Sequence, residues 1–408
     1  MAIFEKKKKG FNIKRATEAF EFDSKYMYPL DCAPIDIALG GGLLSGKIYE
    51  FYGKKGSAKS TFALEATKSF TNYWKDKKQE YRVLWIESES SLDRFRAKYM
   101  GCDLDNYEIG IANTVEEGFE MIDFKMKEYS EANIRSIVVW DTIAAAPTAK
   151  QKESENMFIG GIGEKPRVIS NALPRIINLI GGSDSCLILV NQVYNVVGAY
   201  VPTIESKGGE SIKFFASVRV ELKARKDLCV VEKNGNERKI GIIAKMYTEK
   251  NKLTLEGQTC MINVYGESGI DKIETTINSI KAQFKNTDND FMKVAGAGWT
   301  TFTDVPALVL NEAKNKDIKF QSMKDLKNDI LIKYPMMKDY IDYIVYKYCS
   351  DSSPLLKIRL IDKLWAYEKA FYKEKRTTLT KQEQDAANMK CPVKSSKQKD
   401  TGPSVDII

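Results

Sequence analysis

Between an apolar run, Ile48 to Tyr52, and a helix-period stretch, Thr61 to Lys75, the chain reads Gly53-Lys54-Lys55-Gly56-Ser57-Ala58-Lys59-Ser60-Thr61. Gly, four residues, Gly, Lys and then Ser or Thr is a phosphate-cradling pattern; Gly53, Lys59 and Ser60 fit it, and Ala58 replaces the second glycine. In that pattern, backbone N–H groups at a helix start hold phosphate oxygens, Lys59 neutralises the β and γ phosphates, and Ser60 offers a hydroxyl to Mg²⁺. Ala58 puts a methyl where a tight turn is wanted, so the loop must tolerate a Cβ there. A cluster of Gly, Lys and Ser is by itself an ordinary turn; the strand before it and the helix after it favour the phosphate reading.

Such a loop requires a carboxylate for the metal and a group that activates water. Asp141 follows the apolar run Ile137 to Trp140 and would share a crevice with Ser60, although a strand-end acid also caps helices. Glu87 and Glu89 follow the run Val83 to Ile86 on one alternation phase. Glu89 lies farther out, where a base could reach the crevice, and either acid could instead be simply exposed.

The remaining composition narrows the chemistry. The 408 residues contain no His, which removes Ser-His-Asp and Cys-His hydrolases and histidine zinc sites. Seven scattered cysteines, Cys32, Cys102, Cys186, Cys229, Cys260, Cys349 and Cys391, form no C-x-x-C pair and are expected to be buried thiols of a reducing cytosol. An apolar fraction of 43% supports a sizeable core. The positive charge at the N-terminus has no apolar stretch after it, so it is not expected to act as a secretory signal, and the sequence contains no 18-residue apolar run to span a membrane. The formal charge of +8 is concentrated: residues 1 to 15 carry six basic and one acidic side chain, and residues 371 to 400 carry eight and four. Basic ends suit a polyanionic partner, or solubility alone.

The elements that must position these residues are a series of short strands and longer helices. Ile48 to Tyr52, Val83 to Ile86, Ile137 to Trp140, Leu187 to Val190 and Val218 to Leu222 are apolar throughout, as strands covered on both faces are. Thr61 to Lys75 and Thr114 to Tyr129 have the spacing of crossover helices. The expected fold is α/β, a mostly parallel twisted sheet flanked by helices. Gln151 to Pro166 and Val193 to Ile212 are too long for ordinary connections and follow strand ends, where ligands bind; surface insertions would look alike. Asn234-Gly235 reads as a hairpin turn between Cys229 to Lys233 and Arg238 to Ile243, and Thr259 to Tyr265 as a further apolar run. Beyond about Thr300 the pattern becomes helical, clearest over Met336 to Tyr348 behind Pro335. The expected division is an N-terminal segment 1–28, a core 29–275, a mainly helical domain 276–375 and a basic, disordered tail 376–408.

Six blocks, Ile35 to Thr61, Leu84 to Asn106, Ile137 to Lys150, Ile188 to Val193, Gly208 to Leu222 and Tyr247 to Ile270, together resemble the ATPase core of RecA-type homologous recombinases, and the phage UvsX type in the loosened P-loop and the size. The resemblance implies a RecA-like ATPase with ATP and Mg²⁺ as cofactors. It makes Glu89 the water-activating glutamate, sets Asp93 against the adenine, and puts Arg96 where bacterial members often stack an aromatic. Gln192 corresponds to the glutamine that senses the γ phosphate and passes its state to the following loop. The two long segments, about 151–170 and 193–212, correspond to DNA-binding loops: Ile162, Gly163, Arg167 and Ser170 in the first, Val197, Gly198, Gly208 and Gly209 in the second. Lys250 and Lys252 match lysines that reach a neighbouring subunit's γ phosphate, with Lys213, Phe214 and Arg219 in the same interface, and the short, Lys-rich 1–28 segment, without a residue-by-residue match, is expected to link protomers.

The implied function is an ATP-dependent recombinase that forms filaments on single-stranded DNA and exchanges strands with homologous duplex. It would act in the cytoplasm, of a bacterial host if phage-encoded, with mediator and single-strand-binding proteins as further partners. A RecA-fold helicase and a non-catalytic ATP-binding mediator are the alternatives. The first would bring an extra N-terminal domain, and Glu89 argues against the second. The basic tail departs from the acidic end of bacterial members.

Overall fold

The computed structural model describes residues 26–153, 163–181, 183–195, 204–232, 235–284, 290–295, 299–351, 353–373 and 377–388. A short helix α1 (Ala33–Leu39) precedes the strand β1 (Ile48–Gly53), and the phosphate-loop segment leads into α2 (Lys59–Asp76). There follow β2 (Tyr81–Glu87), α3 (Arg94–Tyr99), β3 (Tyr107–Ile111), α4 (Val115–Glu131), β4 (Arg135–Asp141) and α5 (Glu164–Gly181). The core continues with β5 (Cys186–Asn195), β6 (Ile204–Ser206), α6 (Glu210–Phe215), β7 (Val218–Val231), β8 (Glu237–Asn251), β9 (Thr259–Tyr265) and β10 (Gly269–Ile270).

Along the sheet the strands run β10, β9, β8, β7, β1, β5, β4, β2, β3, with β6 paired back on β5. From β7 to β3 all neighbours are parallel, and β7 to β10 form an antiparallel extension. Both faces are covered, which explains strands without alternation. Ile137 and Val139 enter the layer that holds Phe62, Phe70 and Trp74 of α2. Val138 and Trp140 enter the opposite layer, against Phe119 and Ile122 of α4 and Ile169 and Leu173 of α5. Register then aligns the strand ends: Gly53 lies beside Gln192, and Asp141 beside Glu87. Ligands bind outside the carboxyl ends of such a sheet.

Several elements differ from the sequence reading. The edge strand β3 was not read because its Tyr-Glu-Ile-Gly-Ile sequence is half exposed and interrupted by Glu and Gly. The fourth and fifth apolar runs extend to Asn195 and Val231, since β5 and β7 continue as hairpins beyond the covered sheet. Cys229, expected to be buried, is exposed on the β7–β8 hairpin.

The C-terminal region, expected to be mainly helical, contains a three-stranded antiparallel sheet of β11 (Met292–Val294), β12 (Thr300–Val305) and β13 (Lys316–Phe320) after α7 (Lys272–Phe284). Thr300, Phe302, Ile318 and Phe320 alternate inward with a period of two, which overrides the helical trend. Helices α8 (Met337–Asp351) and α9 (Pro354–Tyr372) follow, and Pro335 lies in the turn before α8. The tail expected to be disordered from 376 is docked over 377–388: Glu368 of α9 accepts the Thr377 N–H at 2.8 Å as well as its hydroxyl, Trp365 Nε1 donates to the Thr377 carbonyl at 2.9 Å, and α10 (Lys381–Asn388) follows. Charge alone hid this anchor, which rests on one buried carboxylate. Most of the 1–28 segment lies outside the described residues, and its end, Met27–Tyr28, pairs with Leu43–Leu44.

Two acids are buried in the seam between α1 and the C-terminal helices. Asp36 accepts the Leu30 N–H and the Tyr346 hydroxyl, each at 2.6 Å, and Asp342 accepts the Thr276 hydroxyl at 3.2 Å. Burial pushes Asp342 up to about 7 and Asp36 up to about 6, with Lys363 pulling the other way. A carboxyl raised on folding contributes stability that is complete below its unfolded pKa, near 3.8, and lost as pH rises through the folded value. Asp342→Asn is therefore expected to be more stable than wild type at pH 8, by roughly 2–4 kcal/mol, and equal to it near pH 4. Thermal melts across that range test this; a gain independent of pH would rule it out.

Candidate nucleotide site

Strands β1, β2 and β4 end at the carboxyl edge of the sheet, beside β5 and β7, which continue past it. Gly53 ends β1 where an added Cβ would stand 2.2 Å from the Leu222 carbonyl oxygen of β7, so only glycine lets the chain leave the sheet there. Lys54, Lys55 and Gly56 are exposed, and Ser57 is buried with a hydroxyl that has no hydrogen-bond partner among the described residues. Ala58 precedes α2 in the left-handed region, at φ 70° and ψ 23°, with no side-chain cap on the helix. The first amides of α2 are therefore open to an anion. A side chain in that region costs about 1–2 kcal/mol. Ala58→Gly is expected to add about 1 kcal/mol and to raise Tm by a few degrees; an unchanged melt would contradict the strain.

Lys59, 9% exposed, donates to the Lys54 carbonyl at 2.9 Å, and burial lowers its pKa. Asp141, at the end of β4, is buried and pushed up to about 6, first by burial and then by Glu87 and Glu89, while a hydrogen bond from Ser60 lowers it. Its Oδ2 has no hydrogen-bond partner among the described residues. A half-buried hydroxyl beside a buried carboxylate with an orphaned oxygen fits a hard, oxygen-seeking cation.

Glu87 and Glu89 are separated by their partners. Glu87 is occupied: Trp85 Nε1 donates to it at 2.6 Å and the Ser91 N–H at 2.8 Å. Glu89 stands at the mouth of the crevice and accepts from Nε2 of Gln192. Gln192 in turn belongs to the root of the β5–β6 hairpin, where its carbonyl accepts the Lys207 N–H at 2.9 Å.

Asp93 caps α3, accepting the N–H groups of Phe95 at 2.9 Å and Arg96 at 3.1 Å. Arg96 is thereby aimed across the loop, donating to the Gly266 carbonyl at 2.6 Å and to the Thr61 hydroxyl at 2.7 Å. It borders a cavity of 360 Å³ that also includes Gly56, Thr61, Ile242, Tyr265 and Gly266. The volume and its apolar floor suit a planar base beside the phosphate loop.

Of the expected loop residues, Ile162, Val197 and Gly198 lie outside the described residues. Gly163, Arg167 and Ser170 are exposed at the start of α5. Gly208 and Gly209 pack against that start: a Cβ on Gly208 would lie 3.0 Å from Ile169 Cδ1, and one on Gly209 2.8 Å from Pro166 Cβ. The roots of the two loops are thus locked together, a constraint that neither loop's sequence reveals.

Lys250 donates to the carbonyls of Lys213 at 2.6 Å and Phe214 at 2.7 Å, and Lys252 to that of Phe214 at 3.4 Å. Burial and the adjacent Lys252 lower the Lys250 pKa. Lys213 donates to Glu210 at 2.6 Å, and Phe214 is 70% exposed. Arg219, expected with them at a subunit boundary, is instead internal at 4% exposed. It donates to Glu50 at 2.6 Å, to Glu249, and to the Ser206 hydroxyl at 3.1 Å, and lies 4.7 Å from the Tyr52 ring centroid. Asn191 donates to the other Glu50 oxygen at 2.8 Å. This network was missed, although an acid in the middle of the apolar β1 was its signal.

Residues 23–271 match the family model described as the RecA N-terminal domain. The chain belongs to the RecA family. Its similar relatives include Protein RecA of Synechocystis sp., 30% identical over 60% of this chain and 65% of the relative. Protein RecA of Mycoplasma pneumoniae is 33% identical over 58% and 66%, and that of Trichodesmium erythraeum 28% over 65% and 68%. The chain therefore spans about 65% of the length of the first curated RecA relatives it matches. The nucleotide crevice, the hairpin roots and the lysine pair all lie inside the RecA match, whereas α8 to α10 lie beyond it.

Proposed function

We propose that this RecA-family chain is an ATP- and Mg²⁺-dependent recombinase that polymerises on single-stranded DNA and exchanges it with homologous duplex. The observation that carries the reading is the hydrogen bond from Gln192 to Glu89, because it joins the hydrolytic acid to the root of a hairpin that leads into the second long loop. Ser60 and Asp141 would hold Mg²⁺, which when bound neutralises phosphate charge. Lys59 exchanges its Lys54 carbonyl for phosphate oxygens. Glu89 takes the proton of the attacking water. Gln192 moves its amide from Glu89 to the γ phosphate, which frees the carboxylate and shifts β5 and β6 together, so that ATP sets the grip of the loops on DNA.

Arg96 forms one wall of the base pocket, with Asp93 holding its helix. Gly163, Arg167, Ser170, Gly208 and Gly209 present the loop roots to the DNA backbone, as sequence-independent binding requires. Lys250, Lys252 and Phe214 face a second copy in the filament. The strained Ala58 and the basic tail favour a UvsX-like phage member, acting in the cytoplasm of a bacterial host with mediator and single-strand-binding proteins.

Phosphate release with and without single-stranded DNA, combined with imaging of the assemblies, tests the proposal. DNA-stimulated release and helical filaments are expected. Closed hexamers would favour a helicase, and nucleotide binding without release a mediator.

A further inference from the structure

The turn that carries the lysine pair is gripped from its far side. Asn251, between Lys250 and Lys252, is buried. Its Nδ2 donates to the Ala38 carbonyl of α1 at 3.1 Å, and its Oδ1 accepts the N–H groups of Leu253 at 2.9 Å and Thr254 at 3.1 Å. The Leu253 carbonyl accepts from Nη1 of Arg359 in α9, and the same nitrogen donates to the carbonyl of Gly40, the C-cap of α1, at 3.3 Å. Helix α1 is itself fastened to α8 through Asp36 and Tyr346. One guanidinium of the C-terminal domain therefore bridges the residue that follows the pair and the end of α1, the helix that holds Asn251 between the two lysines. Arg359 lies beyond the RecA match, which ends at residue 271, so this brace comes from the part of the chain outside that match.

We propose that Arg359 and Asn251 are positioning residues for Lys250 and Lys252, so that docking of the C-terminal domain sets the reach of the lysines to the γ phosphate. This rests on the proposed role of the pair. A lysine ammonium at the end of a flexible stem is useful in phosphoryl transfer only if its Cα is held, and a displacement of about 1 Å can cost on the order of 10²-fold in rate.

Arg359→Met keeps the stem and removes the donors. With single-stranded DNA it is expected to lower kcat for phosphate release about tenfold, to leave KM for ATP within about twofold, and to lose its effect when Lys250 is already alanine. Arg359→Lys, which restores a donor, should recover most of the rate, and Asn251→Ala should repeat the kcat-specific loss. Wild-type kcat in both Arg359→Met and Asn251→Ala, or an undiminished loss in the Lys250→Ala background, overturns the proposal. A rise in KM equal to the fall in kcat, together with a lower melt, marks a merely structural contact and also overturns it. Wild-type protein without DNA-stimulated release would overturn the underlying reading, whereas an active wild type with indifferent variants overturns this proposal alone.

Discussion

Lys59→Ala is expected to reduce phosphate release by about 10³-fold or more, the scale of a single cation acting on a phosphoryl-transfer transition state, and to abolish nucleotide-dependent assembly on DNA. The fold should survive the change, because among the described residues the ammonium donates only to the loop carbonyl of Lys54. The buried stem makes the position costly to charge without a partner, and burial already lowers the pKa of Lys59. A phosphate that arrives there meets a poorly hydrated cation, whose attraction is stronger than that of a surface lysine. Phosphate release and the thermal melt should be measured on the same preparation. Wild-type turnover in the variant would remove the nucleotide site from this crevice, and a collapsed melt would show that Lys59 supports the fold instead.

Arg219→Ala should act through stability. Glu50 is fully buried, and removal of its guanidinium leaves a buried carboxylate with Asn191 as its remaining side-chain donor. Losing one partner of a buried pair costs about 3–5 kcal/mol, or roughly 10 °C in Tm for a core of this size. The Glu249 side chain is partly solvated, so it is the lesser loss. Removing both charges should be milder: Glu50→Gln with Arg219→Met is expected to recover most of the stability. Denaturation of the two single variants and the double variant tests this. A loss below about 1 kcal/mol for Arg219→Ala, or strict additivity of the pair, would show that the network is not coupled.

The two changes separate chemistry from framework. Lys59 touches the proposed substrate and little of the fold; Arg219 touches no substrate but joins β1, β6, β7 and β8. The network includes Ser206 at the base of the second loop and Glu249 beside Lys250. It therefore fixes the relative height of hairpin and lysine strand at the crevice.

The residues of the phosphate loop could be placed from sequence because their signal is local. A loop that follows a strand and opens a helix is dictated by a few consecutive residues, and apolar runs of four or five betray strands buried on both faces. Asp141 at the end of β4 follows from the same logic. Where exposure and long-range pairing intervene, the signal weakens. The half-polar β3 has no apolar run, and the alternating β12 and β13 are short enough to be absorbed into a helical trend. Thr377 carries no mark of its docking, because the buried acceptor that holds it belongs to Glu368 of another element.

By itself the sequence determined five of the buried strands and two of the crossover helices, the phosphate-binding chemistry of the loop and the absence of imidazole catalysis, since each depends on residue type and near-neighbour spacing. Only the tertiary structure decided which of two strand-end acids is available, because Trp85 and Ser91 occupy Glu87 while Glu89 meets Gln192 from a distant strand. It also turned Arg219 inward and brought Arg359 to the lysine turn. The physical reason is common to all three: a polar side chain takes its role from the partner that satisfies it, and that partner is chosen by the packing of elements remote in the chain.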